Sequence, residues 1–295
     1  MSFSSEIKEK ISAETYKSTC CRKAFINGVL SSKARSENGV VSFNIENASL
    51  AAALAKYIVE FYGKEPTVGV PKSGGRCRVV TFESKAADRY LESLANGAPL
   101  LAARCPNCQS AFLRGFFFAA GRVSDPQKQY SLEFSPIDHH EKYLDLINAE
   151  GISLKSTTRR GVRILYLHSC DAIESFFALA NLNSVAFAFM NAKIEGEFRN
   201  NINRGVNCET NNITRAVNVS QRHVRVIKRL IAANMLSFLP EELQETALFR
   251  LENASLTLAQ LAAISVPAIS KSGLIHRLNR ICEYAEQLLK DTGKK

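Results

Sequence analysis

The chain has 295 residues, 46% of them hydrophobic, and a formal net charge of +10. That length fits about two domains with a sizeable core, and the positive balance points to an acidic partner, nucleic acid first. No apolar run approaches the ~18 residues of a membrane span, and the opening "MSFSSEIKEKISAETYK" carries early acids and no apolar signal segment, so a cytoplasmic protein without membrane contact is expected.

Eight cysteines outside a secretory context read as reduced thiols rather than a disulfide framework. Only Cys105-Pro106-Asn107-Cys108 has metal-ligand spacing. Its complement would be the adjacent pair Cys20 and Cys21, and adjacent cysteines chelate poorly. The expectation is small buried thiols near helix starts, with no metal and no cofactor.

In chain order, "AFINGVLSSKA" (24–34) reads as a buried helix. An alternating strand follows through Val41, Phe43 and Ile45. Next come the helix "LAAALAKYIVEFYG", the strand pair "TVGVPKSGGRCRVVTF" and the helix "SKAADRYLESLAN" (84–96). The same order then returns. "AFLRGFFFAAG" stands 87 residues after its cousin, and Cys21/Cys108 and Gly28/Gly115 keep that offset. A strand through Tyr130, Leu132 and Phe134 lies 89 residues on, so two residues are gained near Asp125-Pro126. "HEKYLDLINAEG", "SLKSTTRRGVRILYL" and "SCDAIESFFALAN" (169–181) complete the copy. The chain therefore holds two αββαββα repeats, about 1–98 and 99–192.

The first helix of each repeat carries small residues four apart: Ala24, Gly28 and Ser32, then Ala111, Gly115 and Ala119. Such stripes let two helix backbones approach closely. Two in matching positions predict that these helices pack on each other. Lys72, Arg76, Arg78, Arg159, Arg160 and Arg163 crowd the second strand pair of each repeat, as a DNA-facing sheet surface would require.

Between Arg199 and Arg229 stand seven basic residues and one acid, Glu209. The asparagine-rich part of this stretch, within 193–212, reads as an inter-domain connector. Arg215, Arg222 and Arg225 are candidates for backbone phosphates. A helix is expected from about Ile213 to Met235, and Pro240 opens another. "TLAQLAAI" is a short helix, "SVPAI" a break, and Ser270 caps the last helix. In it Leu274, Leu278, Ile281 and Ala285 form a buried stripe. Lys271, Ser272, Arg277, Asn279 and Arg280 stay outside. A short helix, a tight break and a basic amphipathic helix make a helix-turn-helix over about 257–291. It looks similar to the fourth region of sigma factors. Arg277 and Arg280 suit guanine edges or phosphate, Asn279 suits adenine, and Lys271 and Ser272 suit phosphate at the helix start.

Two αββαββα repeats joined through small-residue helices resemble the LAGLIDADG homing endonuclease fold. In that family an acidic residue just before the final small residue of each helix binds the metal that cleaves DNA. Here those positions are Lys33 and Ala120. Lysine repels a divalent cation and alanine offers no oxygen. A degenerate pair of this kind followed by a helix-turn-helix resembles the WhiA family of bacterial DNA-binding regulators. The segments "CCRKAFINGVL", "EFRNNINRGVNCETNNITRAVN", "FLPEELQETALFRLEN" and "ISKSGLIHRLNRICEYAEQL" carry the likeness. It implies double-stranded DNA binding linked to cell division, chromosome segregation and, in spore formers, sporulation. The implied architecture is α+β: a duplicated αββαββα domain over 1–192, a linker over 193–212 and an all-α domain over 213–295. An active nuclease, or an adaptor whose N-terminal domain binds a protein partner, are the alternatives.

Overall fold

The computed structural model describes residues 2–71, 74–135 and 137–292. Two contact units divide between Glu197 and Phe198. After a leading helix α1 (Phe3–Ala13), the first unit passes twice through one element order. The first pass is α2 (Thr19–Lys33), β1 (Arg35–Glu37), β2 (Val40–Ile45), α3 (Ala48–Tyr62), β3 (Thr67–Gly69), β4 (Arg78–Glu83) and α4 (Lys85–Ala95). The second is α5 (Cys108–Ala120), β5 (Gly121–Val123), β6 (Leu132–Phe134), α6 (His140–Asn148), β7 (Lys155–Arg159), β8 (Val162–Leu167) and α7 (Cys170–Leu179). The antiparallel sheets repeat too, in the orders β1-β2-β4-β3 and β5-β6-β8-β7.

Local chemistry accounts for the matched boundaries. Ser84 and Ser169 stand at equivalent N-caps, and their side chains accept from the backbone N–H of Ala87 and Ala172. Asn38-Gly39 and Arg160-Gly161 turn two hairpins with positive φ at both positions. In β2 the expected alternation holds, with Val41, Phe43 and Ile45 buried. In the second repeat Tyr130 falls short of the strand, which begins at Leu132.

The α2–α5 seam is the centre of this unit. Ala24, Gly28, Ser32, Ala111, Gly115 and Ala119 are all buried. A β-carbon on Gly28 would stand 2.9 Å from the Phe116 nitrogen and overlap the Phe112 carbonyl. One on Gly115 would stand 3.2 Å from the Val29 nitrogen and overlap the Phe25 carbonyl. The backbones therefore touch at these glycines, as the small-residue stripes require. Around the seam Phe116 stacks on Phe134 at 4.1 Å and on Tyr143 at 4.2 Å. The Tyr143 hydroxyl lies 2.7 Å from Ser31 Oγ and ties α6 to α2. Arg114 is the buried charge of α5. It donates to the carbonyls of Ala180 (2.7 Å) and Asn181 (2.6 Å) at the end of α7 and pairs with Glu14. It thereby satisfies carbonyls that a helix end leaves without partners.

The connector expected over 193–212 is helical. Helix α8 runs Asn183–Ala232, so the helix anticipated from Ile213 starts thirty residues earlier. The sequence explains this. No proline stands between Pro136 and Pro240, and the sparse apolar residues Phe187, Met190, Ile194, Phe198, Ile202 and Val206 fall three or four apart. Asparagine lowers helix propensity without breaking a helix.

The second unit packs the end of α8 with α9 (Glu241–Glu252), α10 (Leu258–Ala263) and α11 (Lys271–Thr292). Its core gathers Ile227, Leu230, Leu243, Ala247, Leu261, Leu274, Leu278 and Ile281. Among the described residues four polar side chains are buried with it, Thr246 and Ser265 as well as Arg250 and His223. Arg250 is 1% exposed and donates to the Leu256 carbonyl at 2.7 Å. His223 is 5% exposed, and its Nδ1 has no hydrogen-bond partner among the described residues. Burial, then the charges of Arg250 and Arg222, push the His223 imidazole down to about 4. The unfolded imidazole titrates near 6.5. Below that pH the unfolded chain takes up a proton that the folded chain refuses, so stability falls as pH drops from about 6.5 toward 4. Thermal melts at pH 7 and pH 5 are expected to show a loss on the order of 1–2 kcal/mol in the wild type from this group. His223→Gln should flatten that part of the decline, and an unchanged slope would clear His223 of the effect.

Candidate nucleic-acid interface

Helices α10 and α11 form the helix-turn-helix pair. A capping box closes the start of α10: Thr257 accepts from the Gln260 backbone, and the Gln260 side chain accepts from the Thr257 N–H. Ser270 Oγ accepts from the Gly273 N–H at 3.1 Å and starts α11. Leu274, Leu278, Ile281 and Ala285 are all buried, as their spacing predicts.

The polar residues of α11 do not stand alike. Lys271, Ser272 and Asn279 are exposed. Arg280 is half-buried, its guanidinium 5.9 Å from the Tyr284 ring. Arg277 lies on the flank toward α9, where it pairs with Glu242 and keeps 26% of its side chain exposed. A base contact by Arg277 must compete with that carboxylate. His276 is absent from the candidates that the sequence suggests, yet it is exposed on the same outward face as Ser272 and Asn279. Its spacing of four from Ser272 and three from Asn279 carries that signal. Farther along, Glu283 and Glu286 are exposed, so the second half of α11 repels phosphate. The first turns are the favourable half.

On α8, Arg215, Arg222 and Arg225 are exposed. Arg222 lies 3.8 Å from Glu286, a contact between exposed groups that leaves both hydrated.

The sheet register sorts the basic strand residues. Arg78 pairs with Ile45, and Arg163 falls in phase with Leu165 and Leu167, so both follow the core-facing alternation. Arg159 falls in phase with Val162 and Ile164 on the open face, where it pairs with Glu133 at 2.8 Å. Arg78, Arg159 and Arg163 therefore do not share one sheet face, because side chains alternate along a strand. Lys72 lies outside the described residues.

At the C-terminal ends of α2 and α5 lies a cavity of about 730 Å³, lined by Lys8, Lys33, Glu46, Ala120, Arg122 and Glu133 among others. Both of its carboxylates are engaged by cations: Glu46 by Lys8 at 3.1 Å and Glu133 by Arg159. Burial, followed by the positive charge of Lys8, lowers Lys33 to about 8. Lys8, Lys33 and Arg122 put three cations around this cavity, which disfavours a divalent metal there.

The opposite end of the same seam holds the cysteines. Cys20, Cys21, Cys105 and Cys108 come together with their sulfurs all within 4.8 Å of one another. Adjacent cysteines are a poor pair by themselves. Here they stand in the first turn of α2, and the seam carries them to the start of α5.

A duplicated αββαββα domain closed on a small-residue helix seam, followed by a helix-turn-helix unit, defines the class. Residues 109–199 match the WhiA LAGLIDADG-like domain, and residues 202–285 match the WhiA C-terminal HTH domain. The chain is 32% identical over 313 residues to the probable cell division protein WhiA of Alkaliphilus oremlandii, with 98% of each chain covered. It is 30% identical over 317 residues to that of Clostridium novyi, with 99% of each covered. The chain belongs to the WhiA family. Its fold is similar to full-length DUF199/WhiA from Thermotoga maritima, with a TM-score of 0.60 at 23% identity over 97% of this chain and 99% of that one.

Proposed function

We propose that this chain is a sequence-specific double-stranded DNA-binding regulator that acts in cell division and has no nuclease activity. One observation carries the reading. Helix α11 buries its apolar stripe in the second unit and turns Lys271, Ser272, His276 and Asn279 outward, with Arg280 beside them. This is the arrangement by which a recognition helix enters the major groove. Lys271 and Ser272 take phosphate at the helix start. Asn279 and Arg280 read base edges, and Arg277 joins them when Glu242 releases it. Arg215, Arg222 and Arg225 take backbone phosphates. The division into 1–192, a helical connector at 193–212 and a DNA-binding domain over 213–295, with its helix-turn-helix at 257–291, follows from the same reading.

The name shared by the relatives supports a role in cell division. Family membership extends the proposal to chromosome segregation, to sporulation where the host forms spores, and to a cytoplasmic protein associated with the nucleoid. Mapping of chromosomal binding sites, followed by anisotropy titration of the recovered duplexes against scrambled ones, tests the reading. Specific sites should be preferred by about 10³-fold or more. Equal binding to both sets would overturn sequence specificity.

Lys33 and Ala120 carry the prediction on catalysis. The purified protein, incubated with plasmid and magnesium or manganese, is expected to leave duplex DNA intact. Metal-dependent cleavage that follows the intact protein through further purification would sink this part of the proposal.

A further inference from the structure

We propose that Cys20, Cys21, Cys105 and Cys108 form a structural zinc site that staples the first repeat to the second at the start of the α2–α5 seam. Cys105 Sγ lies 3.5 Å from Cys20 Sγ, 3.4 Å from Cys21 Sγ and 3.5 Å from Cys108 Sγ, and all four sulfurs lie within 4.8 Å of one another. Four thiolates on one tetrahedral zinc, with bonds of about 2.3 Å, would stand about 3.8 Å apart. The observed cluster brackets that spacing. Pairing into disulfides would give each sulfur one partner at about 2 Å. Cys105 instead has three nearly equidistant neighbours.

The setting suits the charge. A zinc bound by four thiolates carries two net negative charges. Cys20 and Cys21 stand in the first turn of α2, and Cys108 is the first residue of α5. Neither N-cap residue, Ser18 or Asn107, makes a side-chain cap hydrogen bond. The positive ends of two helix dipoles are thus left for the thiolates. Cys21 and Cys108 are buried while Cys20 and Cys105 are half-exposed, so an ion can enter. Four protein ligands leave no open position, which is the mark of a structural rather than a catalytic zinc. Iron takes the same ligand set, and the test separates the two. The staple joins cysteines 85 residues apart at one end of the seam. It lies opposite the end where Lys33 and Ala120 stand.

The full-length protein, purified in reducing buffer with no added metal, is to be assayed for zinc and iron by mass spectrometry. One zinc per chain and no iron is the expected result. A mercurial should release that zinc, and replacement by cobalt should give thiolate-to-cobalt charge transfer with the d–d bands of a tetrahedral site. Cys105→Ser/Cys108→Ser should lose the metal, and Cys208→Ser, an exposed cysteine of α8, should keep it. Should the double variant fail to fold, the cobalt spectrum of the wild type decides. The site is overturned by a folded wild type that takes up neither zinc nor cobalt, by iron in place of zinc, by zinc retained in the folded double variant, or by disulfides among these four cysteines under reducing conditions.

Discussion

Gly115→Leu is expected to lower the stability of the N-terminal unit by at least ~1–3 kcal/mol, the usual cost of overpacking a well-filled site. For a chain of this size each kcal/mol corresponds to roughly 2–4 °C in Tm. The cause is not lost flexibility. At Gly115 the backbone of α5 rests on the backbone of α2, and even the first carbon of a side chain would overlap the Phe25 carbonyl. Backbone cannot change rotamer to make room, so relief requires the two helices to separate along a seam packed with phenylalanine. Gly115→Ala should therefore also destabilise, although alanine normally improves a helix by about 0.5–1 kcal/mol over glycine. Gly196 supplies the contrast: it too is helical, in α8, with nothing within 4 Å of an added β-carbon. Gly196→Ala should be neutral or stabilising. Thermal melts of the three variants check this, and a Gly115→Leu protein that melts like wild type would show that the seam is elsewhere.

Alanine at the α11 readers is expected to reduce affinity for the specific DNA site by on the order of 1–3 kcal/mol per residue and to relax sequence preference there. Asn279 and Arg280 should show this most simply, since among the described residues neither pairs with a carboxylate as Arg277 does. Arg277→Ala should show a mixed effect, because it frees Glu242 beside the interface as well as removing a donor. His276→Ala is predicted to behave as a reader, from its exposed place between Ser272 and Asn279. Lys271→Ala should weaken specific and scrambled duplexes alike and lower the salt slope by about one. Titrations of each variant onto both duplexes at several salt concentrations separate the two behaviours. If Arg277→Ala/Arg280→Ala keeps full affinity and full discrimination, α11 is not the reader, and the basic stretch from Arg199 to Arg229 becomes the candidate.

Patterns that act within one element or repeat were legible in the amino acids. The α11 stripe at Leu274, Leu278, Ile281 and Ala285, the cap at Ser270, and the duplicated order itself depend on neighbours in sequence, where helical and strand periodicity dictate facing. The small-residue stripes of α2 and α5 even announced their mutual contact, because the same packing requirement is written twice. The connector at 193–212 was also local: asparagine content marked it as a connector, while the three- and four-residue spacing of a few apolar side chains and the absence of proline make that connector a helix. Other features came only with tertiary structure. Arg277 is basic in any sequence, but whether it faces solvent or Glu242 depends on how α9 lies against α11. Arg159 and Arg163 are near neighbours in the chain and lie on opposite faces of their sheet, since register decides which side of a strand each occupies. The cysteines show the difference most fully. Cys20-Cys21 is a poor chelating pair and Cys105-Cys108 supplies only two ligands, with 84 or 85 residues between Cys105 and the first pair. They become a four-sulfur cluster because glycine lets two helix backbones touch, and that contact carries the helix starts together.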